Sequence, residues 1–184
     1  MLRVLDFLIA VVALIFSMPL LILVWFAGLW DTGAPLFFQR RVGRHQKPFT
    51  LVKFRTMRRD TPDMASHLAS AGMVTRWGAF LRRTKLDELP QLFNVVVGDM
   101  SLVGPRPCLF SQTELVCERE RRGVFKVRPG ITGLAQIQGV DMSDPVRLAK
   151  IDAEMTQHFS LKMYFKLLFW TALGKGRGDR VKSS

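Results

Sequence analysis

Asp87 and Glu88 stand side by side in TKLDELPQLFNVVVGDMSLVGPRP, residues 84–107, with Arg82, Arg83 and Arg106 around them. Two kinds of chemistry are open to such a pair. One is capping and dipole compensation at the start of a helix, the commoner use of an arbitrary Asp-Glu pair. The other is a place beside a bound phosphate, which the neighbouring arginines would hold. The residues that follow favour the second. Gly104 and two prolines fix the backbone on either side of Arg106, and rigid presentation of one guanidinium suits a phosphate better than a solvated surface. Pro90 is tolerated only in the first turn of a helix, which predicts a helix through QLFNVV with Asp87 near its N-cap and Glu88 near N1.

The elements that must hold these residues belong to a chain of 184 residues, the size of one domain. Lys and Arg number 27 against 15 Asp and Glu, a balance suited to an anionic partner: nucleic acid, an acidic membrane surface or a phosphorylated substrate. No aromatic stacking motif, helix-turn-helix pattern or zinc knuckle is present, so nucleic acid is not an expected partner. Cys108 and Cys117 have neither the spacing nor the company for a zinc site or a disulfide framework, and fit a reducing compartment.

Apolar residues concentrate at the two ends. From Phe7 to Trp30 there is no charged side chain, which is length enough to cross about 30 Å of hydrocarbon as a helix. A signal peptide is disfavoured, because the run is long and WFAGLW offers no small-residue cleavage site. Within it, Pro19 removes a backbone donor and crowds the Ile15 carbonyl. Ser17 can satisfy a freed carbonyl through its hydroxyl. A kinked single span and a re-entrant helix that leaves by the face it entered are both compatible with this break. Arg3 before the segment and Arg40, Arg41 and Arg44 after it put positive charge at both ends.

LFFQRRVGRHQKPFTLVKFRTM predicts two strands around a GRHQKP turn, with Phe37, Phe38, Phe49, Leu51 and Phe54 available for one face. Residues 60–74 are polar and irregular, a mobile loop or short helix. Helical spacing resumes at TRWGAFLRR and ELPQLFNVVV. The alternating charges of SQTELVCERERRGVF predict a solvated helix without chemistry. VRPGITGLAQIQG has the glycines of a loop whose backbone approaches something closely. Asp144 and Pro145 mark the N-cap and N1 of a helix over 144–157. The tail FSLKMYFKLLFWTAL, at about 23 Å as a helix, is too short to span. Tyr164, Trp170, Lys162 and Lys166 suit an interfacial helix, with core packing as the alternative.

KFRTM, LRRTKLDELPQLFNVVVGDMSLVGPRP and RPGITGLAQ together resemble the bacterial sugar transferase family, the monotopic phosphoglycosyl transferases. The resemblance implies transfer of a sugar-1-phosphate from a UDP-sugar to undecaprenyl phosphate, with release of UMP and dependence on Mg2+. It implies that Asp87 is a nucleophile that forms a covalent phosphosugar intermediate and touches the metal, and that Glu88 shares in metal or proton handling. Lys53, Arg82 and Arg106 match positions associated with phosphate or nucleotide contacts. The segment 60–74 would close over the nucleotide. The chain departs from the family pattern twice. Met18 separates Ser17 from Pro19, where the family pairs Ser and Pro directly, and Gln138, Gly139 and Val140 stand where an Asn-Gly-Arg string is common. The latter removes one phosphate-side arginine, for which Arg128 is the candidate substitute.

The fold implied is α+β and mainly helical: a re-entrant membrane helix over 1–30, a cytoplasmic catalytic domain with a small β-hairpin over 31–158, an interfacial amphipathic helix over 159–173 and a disordered tail over 174–184. The place implied is the inner leaflet of the bacterial plasma membrane, on its cytoplasmic face, without further spans. The sugar and the oligomeric state stay open. The rivals are a membrane-anchored basic protein that binds acidic lipid or nucleic acid, and a family member reduced to a scaffold.

Overall fold

The computed structural model describes residues 2–62 and 70–176. Its N-terminal apolar run lies inside α1 (Leu2–Thr32), which stays helical through Pro19 and is, among the described residues, the one helix long and apolar enough to cross a membrane. The buried positions Asp6, Ala10, Leu14, Leu21, Val24 and Gly28 form one stripe at helical spacing. Leu8, Ile15, Phe16, Leu23 and Phe26 remain exposed around it, an apolar surface for which hydrocarbon is the matching solvent. The Ser17 hydroxyl donates to the Leu14 carbonyl at 3.4 Å. The expected compensation at the proline is therefore made to a neighbour of the Ile15 carbonyl, and weakly.

The described chain falls into two compact units, one of residues 2–39 and 50–97, the other of residues 40–49 and 98–176. In the first unit α1 packs on α3 (Gln91–Val97). Arg3 donates to the carbonyls of Val95 and Val96, which lie in the last turn of α3, where intrahelical donors run out. At the other end of α1, Asp31 accepts from Thr75 Oγ1 at 2.7 Å. The same hydroxyl accepts from the Gly78 N–H at 2.8 Å and caps α2 (Arg76–Thr84). Gly78 lets α2 seat directly on the chain leaving β2: a Cβ there would lie 2.0 Å from the Thr56 carbonyl oxygen.

The predicted hairpin is present as β1 (Leu36–Val42) and β2 (Pro48–Phe54), whose short connection permits only antiparallel pairing. The expected grouping of five hydrophobics on one face does not hold. Side chains alternate along a strand, so Phe37 and Phe38 point apart, and Phe54 lies opposite Phe49 and Leu51. Asn94 of α3 serves the edge of β2, accepting from the Val52 N–H at 3.0 Å and donating to the Thr50 carbonyl at 2.7 Å. Of the irregular stretch read over 60–74, residues 63–69 lie outside the described residues; Ala71–Met73 form a single 3-10 turn, and Val74 bridges to Met57.

In the second unit β3 (Ser101–Val103) pairs in parallel with β4 (Gly130–Thr132), Ser101 opposite Gly130 and Val103 opposite Thr132. The crossover between them carries α4 (Thr113–Arg121), which packs on α6 (Pro145–Gln157) over a core that includes Val42, Cys108, Leu115, Phe125 and Leu148. The predicted start of α6 is observed: Asp144 Oδ1 accepts from the Arg147 N–H at 3.1 Å with Pro145 at N1. The glycine-rich stretch does approach something closely, and it is this unit's own backbone. A Cβ on Gly130 would meet the Gly104 nitrogen at 2.0 Å. After the single turn α5 (Leu134–Ile137) and α6 comes α7 (Leu161–Ala172), capped by Ser160. It buries Tyr164 and Leu167 and exposes Leu161, Phe165 and Phe169.

Candidate active site

The predicted N-cap geometry at Asp87 is replaced by a different one. α2 ends at Thr84, Lys85 takes the left-handed conformation (φ 58°), and Leu86–Glu88 form a separate 3-10 turn before α3 begins at Gln91. Asp87 thus sits ahead of α3, on a turn that packs back against α2. Asp87 as a whole residue is buried, at 8% exposure, whereas Glu88 is half-buried. A non-glycine residue at positive φ costs about 1 kcal/mol, and here that strain sits two residues from the candidate nucleophile.

Arg82 lies in the last turn of α2, and its Nε donates to Thr56 Oγ1 at 2.9 Å. Both line a cleft that also takes in Phe37, Lys53, Arg55 and Arg58. Four cations therefore surround it, of which Arg58 is paired with Asp60 at 3.2 Å, and no carboxylate lines the cleft itself among the described residues. Lys53, 8% exposed, and Arg55 lie over the Phe37 ring, 5.4 and 5.3 Å from its centroid. The Arg55 guanidinium also donates to the carbonyls of Ala34 and Leu36. Burial, and then the charge of Arg59, lowers the Arg55 pKa from its ordinary value, the response of a partly desolvated cation beside a like charge. The Thr61 hydroxyl in the same wall is buried without a hydrogen-bond partner among the described residues.

Of the six candidates from the sequence, Lys53 and Arg82 share this cleft, and Asp87 and Glu88 follow Arg82 by one turn of chain in the same unit. Arg106 and Arg128 belong to the second unit. Arg128 is committed through Nε to the Gly98 carbonyl at 2.8 Å. The backbone around half-buried Arg106 is held rigid as its sequence suggests. Four successive carbonyls each accept a bond, Pro105 from the Gly130 N–H (2.9 Å), Arg106 from Arg119 Nη1 (2.8 Å), Pro107 from Arg41 Nη1 (2.9 Å) and Cys108 from the Val42 N–H (2.9 Å).

One of those donors corrects the reading of α4 as a solvated face. Arg119 is 1% exposed and holds Asp152 Oδ2 on α6 through Nε (3.0 Å) and Nη2 (2.6 Å). Burial pushes the Asp152 carboxyl up against the pull of the Arg119 charge. Sequence reasoning also passed over Arg55, Arg58 and Thr61. The signal for Arg55 was present in KFRTM, where it follows Lys53 by two residues just past the end of β2, and both cations lie over the Phe37 ring.

By charge, shape and its apolar helix, the first unit suits an anionic ligand met at a membrane. The profile of the bacterial sugar transferase family matches residues 1–175, and the chain belongs to that family. It is 44% identical to a UDP-glucose:undecaprenyl-phosphate glucose-1-phosphate transferase of Caulobacter vibrioides, over 75% of this chain and 54% of that protein. It is 34% identical to an undecaprenyl-phosphate galactose phosphotransferase of Salmonella typhimurium, over 92% of this chain. It is 36% identical to an exopolysaccharide production protein, PSS, of Rhizobium leguminosarum bv. phaseoli, over 96% of each chain. The chain spans only 39% of the length of the Salmonella protein.

Proposed function

We propose that the protein transfers a sugar-1-phosphate from a UDP-sugar to undecaprenyl phosphate, releasing UMP, as the first membrane step of surface glycan assembly. The observation that carries this is the cleft ringed by Lys53, Arg55, Arg58 and Arg82, with Asp87 and Glu88 beyond Arg82 on the adjoining turn, in a family member whose relatives are named for this transfer. The four cations hold the pyrophosphate and offset its charge as a carboxylate approaches. An Asp87 oxygen attacks the phosphorus that bears the sugar. The bond from that phosphorus to the bridging oxygen breaks, and UMP leaves with the electron pair. An oxygen of the lipid phosphate then attacks the same phosphorus, and Asp87 departs as a carboxylate. No proton is gained or lost overall. Lys53 and Arg82 are assigned to phosphate contacts, and Arg106 and Arg128 remain the candidates of the second unit.

The donor set fits Mg2+. Asp87 and Glu88 offer hard oxygens, and among the described residues no cluster of three or more ligating side chains occurs, leaving phosphate oxygens and water to complete the coordination. Asp87, with Glu88 beside it, would hold the ion, which when bound supplies charge against the repulsion between carboxylate and pyrophosphate. The test is a screen of UDP-sugars for UMP release with undecaprenyl phosphate and Mg2+. One active sugar is expected; silence across the screen with well-folded protein overturns the reading.

We also read α1 as re-entrant, on the cytoplasmic face of the inner membrane. Arg3 is tied to α3 and Asp31 to α2, both within the first unit. A straight span would set those two residues about 42 Å apart along the helix, on opposite sides of the hydrocarbon. A cysteine placed at Leu2 should react in intact cells only with a membrane-permeant reagent, and labelling from outside restores the single span. The exposed Leu161, Phe165 and Phe169 beside Lys162 and Lys166 support docking of α7 at the interface. Truncation after His158 should then weaken membrane association, and undiminished binding would assign α7 to packing alone.

A further inference from the structure

α2 packs through one side and leaves another bare. Gly78 and Leu81 are buried, and Arg82 reaches the cationic cleft. Arg76, Phe80 and Arg83 form one exposed row at helical spacing. The Trp77 ring stacks on Phe80 with centroids 5.2 Å apart, and the Arg83 guanidinium lies 6.0 Å from the Phe80 centroid. Among the described residues, neither Arg76 nor Arg83 is paired with a carboxylate. The helix begins where α1 ends. Its N-cap Thr75 donates to Asp31 Oδ2 at 2.7 Å, and Trp30, next to Asp31, is 97% exposed. Both helices belong to the first unit. A tryptophan closing a long apolar helix sits at headgroup depth. α2 therefore starts at that depth whether α1 re-enters or spans, because its C-terminal end meets an interface in both cases.

We propose that the row of Arg76, Phe80 and Arg83 docks on anionic phospholipid, with the two guanidiniums on headgroup phosphodiesters and the Phe80 ring between them at the acyl boundary. The inference goes beyond the transfer reaction and does not rest on it. Two observations select lipid as the occupant. The row combines an exposed aromatic ring with cations that lack counter-charges, the composition of a helix lying in an interface, and a basic segment beside a membrane is drawn to its anionic headgroups. It also continues from the end of α1, whose exposed apolar surface already calls for hydrocarbon. A soluble anion would satisfy the arginines and leave the ring in water. Docked in this way, α2 holds the cleft to which it contributes Arg82 close to the membrane surface.

The test uses the full chain in nanodiscs, with a bimane fluorophore on Ala79→Cys in a Cys117→Ser background. Ala79 is exposed beside the row, and the remaining Cys108 is 0% exposed, closed to the reagent. Phosphatidylglycerol and phosphatidylcholine are mixed in equal amounts, and one or the other carries brominated acyl chains. Both should quench, and brominated phosphatidylglycerol should quench more. Arg76→Gln combined with Arg83→Gln should abolish that difference, whereas Arg76→Lys combined with Arg83→Lys should keep it, since headgroup attraction needs the charge and not the fork. Salt at about 1 M, where the Debye length is about 3 Å, should also remove it. Absence of quenching by either lipid places the row in water or against a protein and overturns the proposal. Equal quenching by the two lipids with both arginines present overturns it as well, as does a preference that survives both glutamines. No substrate is added, so a chain silent in the UDP-sugar screen can still pass this test, and an active one can fail it.

Discussion

Asp87→Asn will release no UMP and acquire no label from a UDP-sugar radioactive in its sugar and β-phosphate. The substitution keeps the shape of the side chain and removes the nucleophilic oxygen, so the expected loss is on the order of 10³-fold or more, the usual scale for deleting a nucleophile. In the proposed route a helix N-terminus is not what would favour Asp87, since α3 begins four residues later. What would favour it is its burial on a tight 3-10 turn, held by a left-handed Lys85 and packed against the helix that carries Arg82. Few water molecules can compete with the substrate at such a carboxylate, and its orientation is set by the turn. Wild-type protein without the acceptor lipid should release at most one UMP per chain and keep the label. Glu88→Gln should slow the reaction while still allowing some adduct to form. Turnover of Asp87→Asn at a sizeable fraction of the wild-type rate, or UMP release that requires the lipid first, replaces the two-step route with direct transfer.

The second large effect is on stability. Asp152→Ala strands the Arg119 guanidinium, 1% exposed, without its counter-charge, and an uncompensated buried charge costs about 3–5 kcal/mol. For a chain of this size that corresponds to a fall in Tm of roughly 10–15 °C. Arg119→Met combined with Asp152→Leu removes both charges and should restore most of the loss, because burial of the pair already works against it, as the raised Asp152 carboxyl indicates. The double variant nonetheless deprives the Arg106 carbonyl of its donor. Thermal stability should therefore recover while UMP release stays below wild type. A single variant with unchanged Tm would show that the pair contributes nothing. Full recovery of both measures in the double variant would detach Arg119 from Arg106.

The parts of this structure legible in the sequence are those governed by local rules. The hairpin follows from alternation around a turn-rich GRHQKP, the start of α6 from Asp144 and Pro145, and the rigidity around Arg106 from its glycine and prolines. The features that were missed depend on distant partners. Nothing in TELVCERER distinguishes Arg119 from its solvated neighbours, because what buries it is Asp152, 33 residues away. The turn at Asp87 was misplaced because Lys85 adopts a conformation usually signalled by glycine. The glycines of VRPGITG announced a close approach correctly, but only folding shows that Gly104 is what they approach.

The alternation along β2 also limits how the gene can change. A side chain's face on a strand is decided by whether its position is odd or even, so one codon inserted or lost between Thr50 and Phe54 would exchange the faces of every residue beyond it. Lys53 would turn towards α1, and Val52 and Phe54 towards the cationic cleft. Substitutions can tune either surface separately, whereas any change of length in this strand has to come in steps of two.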